Sequence, residues 1–68
     1  MTPGELVIVR LSDNGKMAFI RDNGVLGTYL ARETRDGNWL LFDEDEHLAY
    51  RLKLESYLGT QRYKAWVV

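Results

Sequence analysis

Cysteine is missing from the chain, and with it go the disulfide staples of small secreted domains and any thiolate zinc site. Histidine occurs once, as His47, and the two serines, Ser12 and Ser56, lie in predicted turns with no nucleophile motif around them. Nucleophilic catalysis therefore lacks its players, and we expect no enzyme and no catalytic residue. The glycines fall at neither phosphate-loop nor dinucleotide-binding spacing. A large excess of one charge sign is also absent: the formal net charge is -1, which gives little long-range pull on nucleic acid or an anionic membrane. Nothing approaches the ~18 consecutive apolar residues of a membrane span. The opening Met-Thr-Pro-Gly-Glu lacks the basic stretch and apolar run of a signal peptide. We expect a cytoplasmic protein without a membrane, cofactor or small-molecule partner.

What is present is an ordinary globular composition, 46% hydrophobic and 28% charged over 68 residues. That length makes one domain, residues 1–68, whose single core supplies on the order of 3–5 kcal/mol of net stability. Good local structure or self-association must then hold the fold.

Asn14-Gly15, Asn23-Gly24 and Asp36-Gly37 cut the first half into strand-length pieces, because Asx and Gly tolerate the positive φ that tight hairpin turns require. Strands are expected over Glu5 to Leu11, Lys16 to Arg21, Val25 to Thr34 and Asn38 to Phe42. The first is apolar on both faces, as in a central strand or one covered by a partner. Gly27, inside the third, suggests a bulge or strong bend. Leu48 to Leu54 alternates strictly, with Leu48, Tyr50, Leu52 and Leu54 on the inward side. A helix competes here, since Asp43 and Glu46 form a capping box and Tyr50, Leu54, Tyr57 and Leu58 follow helical spacing. A strand to Leu54 followed by one helical turn through Ser56 and Tyr57 to Gly59 reconciles the two signals, and Gln61 to Val68 closes the domain. The expected fold is all-β: a small, strongly bent antiparallel barrel of five to six strands, SH3-like, with at most one short helical turn near residues 55–59.

Two surfaces carry the candidate function. Arg51 and Lys53 share the outward side of one strand, and Arg62, Lys64 and Trp66 that of the last. Were these strands paired as a hairpin, Arg51 would lie near Lys64 and Lys53 near Arg62, each a repulsive cross-strand pair. The strands are then not neighbours, or a partner anion or the acids of Asp43, Glu44, Asp45 and Glu46 offset the repulsion. That acidic run does not fit a calcium loop, for Leu48 stands where Gly is required and Leu54 where Glu is required. It reads as a solvated loop or a partner-facing patch, with no metal. Together with Glu33 it is also a thin basis for imitating phosphates. Trp39 belongs to an apolar strand and reads as core; Trp66 is ambiguous. The resulting expectation is a non-enzymatic protein-binding module, a small regulator or inhibitor, bound to another protein or to a second copy of itself. The alternative is a nucleic-acid-binding barrel that uses the basic patch with aromatic stacking.

Overall fold

In the computed structural model, which describes all of residues 1–68, six antiparallel strands close into a barrel. They are β1 (Leu6–Leu11), β2 (Met17–Asp22), β3 (Val25–Glu33), β4 (Trp39–Phe42), β5 (Leu48–Gly59) and β6 (Arg62–Val67). Each strand bonds to its neighbour in sequence, and β1 pairs with β6 from Leu6↔Trp66 to Arg10↔Arg62 to close the ring. Every strand thus has two neighbours, although Lys53 to Gly59 of β5 pair with β6 alone and Val25 to Tyr29 of β3 with β2 alone. The expected small antiparallel barrel is thus the fold.

Alternation decides what fills it. Val9, Leu11, Ala18, Ile20, Leu41, Leu52, Ala65 and Val67 are buried, and no polar side chain is buried with them. A narrow ring has room for few side chains, which explains why two of the eight are alanines at 0% exposure. The Met1 side chain packs against this core, with its ammonium group 3.0 Å from Asp22 Oδ2.

The turns follow their residues. Asn23 (φ 50°) and Gly24 (φ 79°) form the two-residue loop that Asn-Gly favours. At Asn14-Gly15 and Asp36-Gly37 only the glycine is left-handed, and the loops are longer turns closed by Gly15 N–H to the Ser12 carbonyl and Gly37 N–H to the Thr34 carbonyl.

Three expectations are corrected. The helical turn near residues 55–59 is absent, because β5 continues to Gly59 through register shifts at Leu54/Ser56 and Tyr57/Gly59. Each bulge bends the strand and preserves its pairing with β6. A further shift between Leu41 and Phe42 pairs Phe42 with Leu48, turning Leu48 out of the inward row and leaving it 42% exposed. Gly27 is no bulge, since its pairing with Ile20 lies in an unbroken register. Its missing side chain instead makes room for Tyr29: an added Cβ would stand 2.6 Å from Oη and 2.8 Å from Cε2. Tyr29 is half-buried against the core and meets Tyr50 edge-on, with ring centroids 5.5 Å apart. Burial first, and then the neighbouring Tyr50, push the Tyr29 phenol above its ordinary range.

Gly27→Ala should therefore cost about 1–3 kcal/mol in chemical denaturation, and the cost should vanish or reverse in a Tyr29→Ala background, where the strand gains from losing a glycine. An equal cost in both backgrounds would contradict the packing argument.

Candidate basic and aromatic face

The outward residues of β1, β6 and β5 form rows set by register. Leu6, Trp66 and Lys53 stand side by side; Ile8, Lys64 and Ser56 make the next row; Arg10, Arg62 and Gly59 make the third. Leu6 (44% exposed), Ile8 (47%) and Trp66 (40%) give this face an apolar strip. Lys53, Lys64, Arg62 and Arg10 surround it. Both ion pairs of the protein, Met1 with Asp22 and His47 with Asp43, lie elsewhere, so none of these four cations is in ion-pair contact with a carboxylate, although Glu55 stands at the β5 bulge beside the Lys64 row.

β5 and β6 are neighbours, yet the anticipated repulsion does not arise. The Thr60-Gln61 turn, with both residues left-handed (φ 52° and 63°), and the bulges of β5 place Lys53 opposite Trp66 and Lys64 opposite Ser56. Like charges meet instead at Arg10↔Arg62, across the closing pair of strands. There Arg10 leans away over Phe19, its Cζ 4.3 Å from the ring centroid, a cation–π contact that offsets the repulsion.

The predicted residues divide accordingly. Lys53, Arg62, Lys64 and Trp66 share the face. Arg51 stands at its margin, opposite Leu40 of β4, with its carbonyl accepting the Val68 N–H at 2.9 Å. Asp43 to Glu46 form the β4–β5 loop on another side of the ring, and Glu33 pairs with Trp39 at the opposite end of β4, so the acids are not gathered into one patch. Trp39 packs against the core as expected, though its buried Nε1 has no hydrogen-bond partner. Leu6, Ile8 and Arg10 were not singled out from the sequence as site residues. The double apolar character of β1 was their only trace.

The acidic loop has a structural logic of its own. Asp43 Oδ1 accepts the N–H groups of Asp45 and His47, both at 2.9 Å, so one of the four carboxylates is engaged in holding the loop. The Asp43 N–H donates to the His47 carbonyl at 2.9 Å and the Glu46 N–H to the Asp43 carbonyl at 3.0 Å. The β3–β4 loop repeats the pattern: Thr34 N–H donates to the Asn38 carbonyl, Gly37 N–H donates to the Thr34 carbonyl, and Thr34 Oγ1 accepts the Asn38 N–H. The Thr34 hydroxyl also donates to Asp36, which holds that carboxyl below its usual range. Such three-residue loops call for a left-handed third residue. Gly37 fills that position in one loop and Glu46 (φ 63°) in the other.

Comparison of the chain with protein-family models, curated proteins and solved structures finds no match, and the reading of these surfaces rests on their geometry.

Because an L-residue resists the left-handed region, Glu46→Gly should stabilise the fold by about 0.5–1 kcal/mol, and Gly37→Glu should destabilise it by a similar amount. Denaturation midpoints check both. A destabilised Glu46→Gly variant would show that the glutamate contributes contacts outweighing its backbone cost.

Proposed function

We propose that the protein is a non-enzymatic binding module whose β1–β6–β5 face takes an acidic protein segment anchored by an apolar side chain. The observation that carries this reading is the Leu6–Ile8–Trp66 strip, exposed and bordered by Lys53, Lys64, Arg62 and Arg10, none of them held in an ion pair. Apolar area at the centre supplies affinity, with Trp66 as the anchor. Cations at the rim supply orientation and speed of encounter. On this reading the protein acts as a small regulator or inhibitor of the partner it binds.

The same cations favour a second reading, the nucleic-acid-binding barrel. Binding without sequence preference combines a basic track with flat aromatics on which bases stack. Here Trp66 is the one exposed ring in the outward rows, Phe19 is covered by Arg10, the Tyr57–Tyr63 ring pair lies on the other parity of β5 and β6, and the positions adjoining Trp66 are the aliphatic Leu6 and Ile8, which offer no stacking plane. Aliphatic side chains suit a protein partner better.

An array of acidic peptides carrying Leu, Phe or Trp, matched basic peptides and single-stranded oligonucleotides separates the readings. The acidic apolar peptides should bind. Trp66→Ala should weaken that binding by about 30-fold, as loss of an anchor does, and Lys53→Glu with Lys64→Glu should slow association. Oligonucleotide binding that is stronger, and that collapses between low and physiological salt, would replace this reading with the alternative.

A further inference from the structure

We infer that a second copy of this chain docks on the opposite side of the barrel, through a two-fold contact centred on Leu30 and Phe42. Met17, Leu30, Phe42 and Leu48 face one another in an unbroken apolar row across β2, β3, β4 and β5. Leu30 and Leu48 are 43% and 42% exposed. Within the chain this row is covered only in part: Arg32 lies over Phe42, with its Cζ 5.7 Å from the ring centroid, and Leu30 and Leu48 stay open.

Shape and charge together specify the occupant. Leu30 and Phe42 form a wall shared by two surface depressions, of about 530 Å³ and about 300 Å³. The first carries Lys16, Arg32 and Glu46; the second carries Asp43 and Glu44. A two-fold axis through the shared wall sets each depression of one copy against the other depression of its partner. Lys16 and Arg32 then meet Asp43 and Glu44 twice, once on each side of the axis, and outnumber Glu46, which faces the same acids. Such a contact is isologous and closes at two copies. The basic face cannot serve in the same way, because a two-fold contact there would press Arg10, Arg62, Lys64 and Lys53 against their own copies.

A stable interface buries about 800 Å² per partner, roughly a sixth of the 4746 Å² this chain exposes. A core of eight buried residues also leaves stability to be gained by covering a further apolar row. In the ring order β1 to β6, β4 lies across the barrel from β1 and β3 from β6. Pairing through β3 and β4 therefore leaves both basic faces free and pointing outward, whatever they bind.

Sedimentation equilibrium across a wide concentration range tests the contact on the whole chain, with circular dichroism confirming that each variant folds. The wild type should dimerise reversibly. Arg32→Glu and Glu44→Lys should each raise the dimer Kd by about tenfold or more, and the double variant, which exchanges both signs, should recover most of the loss. A wild type that stays monomeric throughout overturns the proposal. So does a dimer indifferent to the single reversals, or one weakened by them and not recovered in the double variant.

Discussion

Closure of the ring by β1 and β6 is the constraint on which the rest depends. A six-stranded barrel encloses so little space that eight side chains fill it, two of them the methyl groups of Ala18 and Ala65. Strand alternation then sends every second residue outward whether or not it is apolar. Leu6, Ile8, Leu30 and Trp66 are exposed for that reason, not through any failure of patterning. A chain nearly half hydrophobic, folded around so narrow an interior, must present apolar surface, and the register decides where it lies and which charges border it.

Register also settles the electrostatics. The β5–β6 hairpin carries five outward cations and aromatics within a short span, and the position of its Thr60-Gln61 turn keeps Lys53 opposite Trp66 and away from direct pairing with Arg62 or Lys64. The repulsion that remains, Arg10 against Arg62, is relieved by the Phe19 ring. Positive charge thus stays concentrated around Trp66, while the negative charge of Asp43 to Glu46 is carried to another side by the β4–β5 loop. A nearly neutral protein acquires two differently charged surfaces in this way, and its net charge describes neither.

Much of the fold was legible in the chain. Asx-Gly pairs and two-residue alternation placed the strand starts and ends within a residue or two, the end of β5 excepted, since both are local signals. Gly27 was noticed but misread, because a glycine that bends a strand and one that accommodates the ring of Tyr29 look alike in sequence. The continuation of β5 beyond Leu54 was hidden for a related reason. Bulges have no residue signature of their own, and Tyr50, Leu54, Tyr57 and Leu58 mimic a helical stripe. Lys53, Lys64 and Trp66 emerged from alternation alone. Their companions Leu6, Ile8 and Arg10 did not, because they join the face only through pairing of the first strand with the last, the contact most distant in sequence.

Binding at this face depends on an exposed indole set among cations that no ion pair holds. Collisional quenching of Trp66 fluorescence, in a Trp39→Phe variant that leaves it the sole indole, tests this most directly. Relative to a neutral free tryptophan derivative, iodide should quench Trp66 with a raised advantage over caesium, and that excess should shrink as added salt shortens the screening length to about 8 Å and below. An iodide advantage no greater than that of the free derivative, or protection from both ions, would contradict the claim.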